Sequence, residues 1–165
     1  MPPGEGRVAS AGTRADQYEQ LDAATTARWL SFGQEREHGR GFFAQHIGLV
    51  VEEVRRNYCR MRMVFRPELL QGGGIVHGGA LASPLDSVLV PPIGATLPEG
   101  SRSATVDLHV QFLEALPEDD AIAEGWVVRR GRRVVFGQAE ARAASTGRLV
   151  ATSVLTYNVC PPPAP

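Results

Sequence analysis

The sequence has few cysteines and no excess of charge of either sign. Its two cysteines, Cys59 and Cys160, form neither a CxxC pair nor a cluster with histidine. This pattern argues against a disulfide framework and against a structural zinc site. The 17 Lys and Arg residues nearly balance the 18 Asp and Glu residues, so no overall field favours nucleic acid or a membrane surface. We therefore expect no metal, no nucleic acid and no membrane partner.

Long hydrophobic runs are also absent from the N-terminal segment, which lacks the apolar stretch of a signal peptide or a membrane span. The sequence therefore predicts a cytoplasmic protein. Residues 1–13 are poor in large apolar side chains, and residues 160–165 end in a proline run, so both ends are predicted to be disordered. With 43% hydrophobic residues overall, residues 14–159 are sufficient for one domain.

Hydrophobic periodicity predicts an α+β domain. Apolar residues recur at roughly helical spacing over 16–32 and occupy nearly every side of the segment 78–90, which is typical of a helix surrounded by other elements. Strand patterns cover residues 49–54, 58–65, 104–112, 121–130, 133–143 and 149–159. Because their connections are short, an antiparallel sheet wrapped around the apolar helix satisfies this order best.

The strand at 104–112 shows the strictest alternation. One face is predicted to carry Val106, Leu108, Val110 and Phe112, and the opposite face Thr105, Asp107, His109 and Gln111. The strand is therefore predicted to bury its apolar face and to expose its polar face.

The segment from Gln71 to Asp86 combines the features of a reactive site. Asp86 is a lone carboxylate in the apolar helix, and an unpaired buried charge costs several kcal/mol unless it is satisfied or used in chemistry. Gly78 and Gly79 flank the predicted helix start, where free N–H groups and the helix dipole favour an oxyanion. A carboxylate and an oxyanion donor together are suited to acyl transfer.

This segment resembles the hotdog-fold acyl-CoA thioesterases of the phenylacetate-pathway and Arthrobacter-type 4-hydroxybenzoyl-CoA group. Their Gly-x-x-His-Gly-Gly turn matches Gly74 to Gly79, and their acidic residue, nine positions after the histidine, matches Asp86. The resemblance continues through 104–113, the arginine-rich hairpin 129–133 and 147–152. It implies a hotdog fold, to which the helical spacing over 16–32 adds one or two N-terminal helices.

The resemblance also implies roles for individual residues. Gly78 donates its N–H to the thioester oxygen, Asp86 acts as nucleophile or general base, and Gln71 orients water or substrate. His77 is expected to orient the turn through backbone hydrogen bonds rather than to act as a base. Gly79 and Thr105 are expected to contact the substrate, with a plain strand threonine as the alternative for Thr105. No cofactor is needed because coenzyme A is part of the substrate. Homodimers or homotetramers are expected, with each site shared between subunits. From their charge alone, Arg132 and Arg133 could hold the phosphates of coenzyme A.

Several alternatives stay open. Pro84 interrupts the predicted helix, so Ser83-Pro84-Leu85-Asp86 could instead begin a new helix that Asp86 merely caps. A non-catalytic acyl-CoA sensor on the same fold is the second functional hypothesis, and the departure at Pro84 is the feature that favours it. A hydratase ranks last because no Asp/His pair for proton transfer is evident. Gln71 is typical of the hydroxybenzoyl branch and Asp86 of the phenylacetate branch, so neither the acyl group nor its carrier, coenzyme A or a protein, is specified.

Overall fold

The structure, a computed structural model, describes residues 14–34, 36–37, 40–160 and 162. The predicted disorder of 1–13 and most of the predicted C-terminal tail lie outside these residues. Cys160, assigned to that tail, is the last residue of a strand. The helices are α1 (Ala23–Leu30), α2 (Phe43–His46), α3 (Gly78–Ser87) and α4 (Val90–Gly94), and short 3-10 turns cover Arg14–Gln17 and Pro67–Leu69. The strands are β1 (Arg36–Glu37), β2 (Arg40–Gly41), β3 (Leu49–Arg55), β4 (Tyr58–Met63), β5 (Arg102–Phe112), β6 (Ala121–Arg130), β7 (Val134–Ala143) and β8 (Leu149–Cys160).

The six long strands form one antiparallel sheet in the order β3-β4-β6-β7-β8-β5. The sheet wraps around α3 and α4, which form one apolar helical segment because Val88 and Leu89 between them keep right-handed helical dihedrals. This is the hotdog fold, and the additional N-terminal helix is α1, so the predicted fold class is confirmed. No helix in the described ranges is long and apolar enough to cross a bilayer.

The central helical segment lies very close to the sheet. Leu85, Val88 and Leu89 are fully buried. A Cβ added to Gly137 of β7 would stand 2.2 Å from Leu89 Cδ1, so the missing side chain lets the helix approach the strand. Burying large aliphatic side chains stabilises such a core by about 1.5–3 kcal/mol each. The helix is therefore held in a fixed position along the sheet.

The two edges of the sheet differ. The N-terminal segment covers β3, where the Gln34 side chain donates a hydrogen bond to the Leu49 carbonyl (3.1 Å). The opposite edge strand, β5, pairs with β8 alone. In the described part of the chain nothing pairs with its other side, and Val106 and Phe112 are 66% and 53% exposed. A long open edge of this kind is a template for pairing with another chain.

Candidate active site

Helix α3 begins at the histidine-glycine turn. His77 is the N-cap residue, and its Nδ1 accepts a hydrogen bond from the Gly79 N–H at 2.9 Å. The His77 N–H donates to the Leu69 carbonyl at 2.8 Å, which fixes the turn against the preceding loop. His77 is thus held as an orienting residue, and the Gly79 N–H is occupied.

Gly78 occupies the first helical position. Among the described residues the Gly78 N–H has no hydrogen-bond acceptor, as is expected for the first turn of a helix. The ring of Phe112 lies beside it, 3.2 Å from where a Cβ of Gly78 would stand. A free N–H at the positive end of a helix can stabilise an oxyanion.

Gln71 lies on the exposed loop before this turn. Its side-chain oxygen accepts a hydrogen bond from the Gly73 N–H at 2.8 Å, and its backbone closes the loop through Ile75 and Gly74. The side chain therefore stabilises its own loop, and its predicted contact with water or substrate stays a prediction.

Asp86 lies on the half-exposed side of α3. Its Oδ1 accepts a hydrogen bond from the Thr105 hydroxyl at 2.7 Å. The Tyr157 hydroxyl donates to the Asp86 backbone carbonyl and lies 3.5 Å from Oδ1. These contacts leave Oδ2 without a hydrogen bond in the described chain, so one carboxylate oxygen is available for chemistry.

The capping alternative for Asp86 is wrong. Helix α3 runs without a break from Gly78 through Pro84 to Ser87. Ser83, the supposed N-cap, is inside the helix, where its hydroxyl donates to the Gly79 carbonyl at 2.9 Å. Pro84 is buried and accepts a bond from the Val88 N–H, so a helix end is not formed at this point.

A β-bulge explains how Thr105 reaches Asp86. The register of β5 against β8 shifts between Thr105 and Asp107, so that Thr105 pairs with Tyr157 and Asp107 with Thr156. The extra residue places Thr105 on the helix-facing side, together with Leu108. The predicted strict alternation, which put Thr105 on the opposite face from Leu108, is therefore wrong at this end of the strand. Bulges commonly redirect a side chain at functional sites.

Tyr157 was not identified from the sequence, where it is one of several apolar residues in a strand. Burial, together with the neighbouring Asp86 carboxylate, raises the pKa of the Tyr157 hydroxyl above its ordinary value. The group is therefore a permanent hydrogen-bond donor at neutral pH. A tyrosine at a strand position predicted to be buried could have indicated such a role, but it would not have indicated the hydrogen-bond partner.

Gly78 and Asp86 are far apart within one chain. They are eight residues apart on one helix, which at 1.5 Å per residue gives about 12 Å. A reacting carbonyl must lie about 3 Å from both the oxyanion donor and the attacking group. The two groups of a single chain therefore cannot act on the same carbonyl.

The arginine hairpin lies at the same end of the sheet as Asp86. Val134, at the start of β7, pairs with Asn158, which pairs with Ala104 beside Thr105. The hairpin is thus two strand spacings, about 10 Å, from β5. The hairpin has three exposed arginines, Arg129, Arg132 and Arg133, and a fourth exposed arginine, Arg102, begins β5. None of the four forms an ion pair within the described ranges.

Arg130 differs from its neighbours in the hairpin. It points inward, where its guanidinium donates to the Asn57 side chain at 3.0 Å and to the Pro92 carbonyl at 3.4 Å. Burial, with a smaller contribution from Arg56, lowers the pKa of Arg130. Arg130 therefore ties the hairpin to α4, whereas its exposed neighbours lie in solvent.

The fold is that of hotdog proteins. Residues 73–150 match the family model described as the Thioesterase superfamily. The matched segment contains the turn at His77, the carboxylate Asp86, the strand β5 and the arginine hairpin. The central part of this chain is thus similar to the thioesterase superfamily.

Relatives and solved structures agree with that match. A Saccharolobus solfataricus protein described as "Putative esterase SSO1253" is 30% identical over 89 residues, 54% of this chain and 59% of the relative. The chain therefore spans less than two thirds of that relative's length.

Among solved structures, Haemophilus influenzae thioesterase HI1161 superposes with a TM-score of 0.68 at 19% identity, covering 73% of this chain and 84% of that one. A Ralstonia eutropha protein described as a "putative thioesterase, phenylacetic acid degradation-related protein" gives 0.66 at 27% identity, covering 73% and 93%. At 19% identity the first supports the fold alone.

Proposed function

We propose that this chain hydrolyses acyl-CoA thioesters to the free acid and coenzyme A. The Gly78 N–H donates to the carbonyl oxygen and stabilises its developing negative charge. Asp86 either attacks the carbonyl carbon or removes a proton from the attacking water. Collapse of the tetrahedral intermediate breaks the C–S bond and releases the thiolate, which takes up a proton. If water attacks, the free acid forms in this step. If Asp86 attacks, the product is an anhydride between Asp86 and the acyl group, which water then hydrolyses to the free acid and the restored carboxylate. The match of residues 73–150 to the Thioesterase superfamily model and the likeness to the Ralstonia eutropha putative thioesterase, 27% identical, support this reaction class.

The observation that carries the proposal is the free edge of β5. Thr105, which holds Asp86, lies near one end of this strand, and Phe112, which lies beside Gly78, at the other. If two copies pair β5 antiparallel with the two-fold axis near His109, Thr105 of one copy lies opposite Phe112 of the second copy. Asp86 of one copy then approaches Gly78 of the other. Pairing of two copies would thus bring together the two kinds of group, Gly78 and Asp86, that lie about 12 Å apart along the helix of one chain.

The arginine hairpin suits the nucleotide end of coenzyme A. Exposed guanidinium groups at one end of the sheet, without carboxylate partners in the described chain, would bind phosphate oxygens through charge-assisted hydrogen bonds. Arg132 and Arg133 are the nearest of these to the tip of the turn. This arrangement favours coenzyme A over a carrier-protein thioester.

The sensor alternative loses its main argument. It depended on Pro84 interrupting the helix and displacing Asp86. Helix α3 is continuous at Pro84, and Asp86 has an orienting hydroxyl on Oδ1. A binding module would need the pocket but would have no need of an oriented carboxylate.

Two inactive variants can test the shared site by complementation. Gly78→Pro removes the N–H, and proline is well accepted at the first position of a helix after an extended residue such as His77. Asp86→Asn removes the carboxylate. When the two are unfolded and refolded together, half of the dimers are mixed, and each mixed dimer has one intact site, so about a quarter of wild-type activity returns.

Gly78→Ala is the matched control, because it adds the same Cβ beside Phe112 but keeps the N–H. We expect thiol release to fall about 10²-fold to 10³-fold in Gly78→Pro and far less in Gly78→Ala. Light scattering should report a dimer or a larger homo-oligomer. Recovery of no activity in a mixture that still forms oligomers would contradict the shared site.

A further inference from the structure

A second feature near Asp86 is a cavity that the helix-borne site does not use. It has a volume of about 460 Å³ and lies between the N-terminal elements and α3. Its walls are mainly aromatic, formed by Trp29, Phe32, Phe42 and Phe43, and Ser87 contributes the α3 side. Every aromatic residue of this wall precedes residue 73, so the cavity lies largely outside the segment that matches the thioesterase superfamily.

Two glycines allow the close contacts that hold the walls of the cavity together. A Cβ on Gly94 of α4 would stand 2.2 Å from the Trp29 ring, so the ring packs directly on the helix backbone. A Cβ on Gly33 would stand 2.6 Å from the Ala44 Cβ, which brings the end of α1 against α2. Gly33 also has a φ of +74°, a conformation that glycine adopts without strain. The walls are therefore held in place by packing.

The position of the cavity relates it to the reaction. Ser87 follows Asp86 on α3 and points about 100° further around the helix, across its half-exposed side. A thioester whose carbonyl lies at Asp86 would thus direct one of its two arms over Ser87. The arginines suited to coenzyme A lie at the other flank, beyond β5 and β8.

We infer that this cavity holds the acyl group, and that the substrates are thioesters of bulky apolar acids, aromatic or aliphatic. This inference rests on the proposed function. Aromatic walls bind apolar groups by burial and favour rings through edge-to-face contacts. Among the described residues of the lining, Arg28 is the charged one and none is acidic, so this part of the wall offers no partner to a cationic acyl group. Acetyl and other short groups would leave most of it unfilled.

The experiment compares thiol release from acetyl-CoA, octanoyl-CoA and phenylacetyl-CoA in matched variants. Ser87→Leu fills the cavity, and Phe43→Ala, at a side chain 63% exposed, removes part of its wall. The controls are Ala115→Leu, in the smaller apolar cavity beside Gly78, and Phe136→Ala, an exposed aromatic of β7. We expect both cavity variants to lower the ratio of kcat/KM for bulky to acetyl substrates about tenfold or more. Both controls should keep the wild-type ratio.

The outcomes separate this inference from the proposed function. A wild-type preference for acetyl-CoA, or an unchanged ratio in both cavity variants, overturns the acyl assignment while thioester hydrolysis stands. If the wild type releases no thiol at all, the proposed function fails, and calorimetry with the non-hydrolysable thioether S-octyl-CoA then tests the cavity. Weaker binding by Ser87→Leu would still support it, and equal binding would overturn it. The two bulky substrates also distinguish an aromatic from an aliphatic preference.

Discussion

Tyr157 on β8 donates its hydroxyl hydrogen to the backbone carbonyl oxygen of Asp86, so a side chain of the sheet supplies the donor for a carbonyl in the last turn of α3. Helix α3 ends at Ser87, and the last carbonyl groups of a helix have no partner within it. Among the described residues no backbone N–H donates to the Asp86 carbonyl. Tyr157 supplies the missing donor and fixes the backbone that carries the candidate catalytic carboxylate.

Replacing Tyr157 by Phe should therefore affect both stability and turnover. The variant leaves a carbonyl without its donor, which costs about 1–3 kcal/mol of unfolding free energy. Asp86 also loses one of its two supports, so kcat should fall.

Tyr58→Phe is the matched control. The buried Tyr58 hydroxyl donates to Glu124 at 2.5 Å, remote from Asp86. It should lose comparable stability in a thermal melt while keeping its turnover at a temperature where both variants are folded. Equal loss of turnover in the two variants would remove Tyr157 from the positioning of Asp86.

Thr105→Val should lower kcat and leave KM nearly unchanged, because it removes the hydroxyl that orients Oδ1 of Asp86. Thr105→Ser should restore turnover, since it keeps the donor. If Thr105 instead contacts the substrate, KM will rise. Thr156→Val, on the same region of the sheet but facing the other side, serves as the control and should resemble wild type in both constants.

Asp86→Asn should abolish most of the activity without destabilising the fold. An amide can neither attack the carbonyl nor accept a proton, so turnover should fall roughly 10²-fold to 10⁴-fold. The amide oxygen can still accept the Thr105 hydrogen bond, and the melting temperature should be equal or higher, as is common where a polar site is maintained for function. Near-normal thioester hydrolysis in this variant would refute the assignment of Asp86.

Replacing Arg132 and Arg133 together by Ala should raise KM for acyl-CoA by roughly tenfold, equivalent to about 1.4 kcal/mol of binding. Contacts to the phosphates would be equal in ground and transition state, so kcat should change little. Small acyl thioesters without the nucleotide should be hydrolysed as before. Arg148→Ala, an exposed arginine paired with Glu114, is the control. An unchanged KM in the double variant would exclude the hairpin from coenzyme A binding.

The two cysteines should differ in reactivity. Cys59 is fully buried, and burial raises the pKa of its thiol well above the ordinary value. Iodoacetamide at pH 8 should therefore leave Cys59 unmodified in the folded protein and modify it in denaturant, as mass spectrometry of the peptides would detect. Rapid native modification of Cys59 would contradict its place in the core.

The sequence by itself determined the order of the main elements, the hotdog fold and the helix that carries His77, Gly78 and Asp86. Those features follow from local periodicity and from a motif with fixed spacing, which one stretch of chain contains in full. The predicted bounds of the six long strands differ from the observed ones by no more than two residues. The helices differ more, since α4 extends the central helical segment to Gly94 and α1 covers only Ala23–Leu30 of the predicted 16–32. Element α2 and the two-residue strands β1 and β2 were missed because such short elements have no periodic signal.

Only the tertiary structure decided what surrounds Asp86. A bulge in β5 moves Thr105 to the helix-facing side, and whether a strand bulges depends on its partner strand rather than on its own alternation. Tyr157 reaches Asp86 from 71 residues away, a contact that no local pattern encodes. The aromatic cavity likewise depends on where Gly94 and Gly33 allow backbone and rings to meet. Local sequence determined the candidate reactive groups, whereas long-range packing determined their orientation.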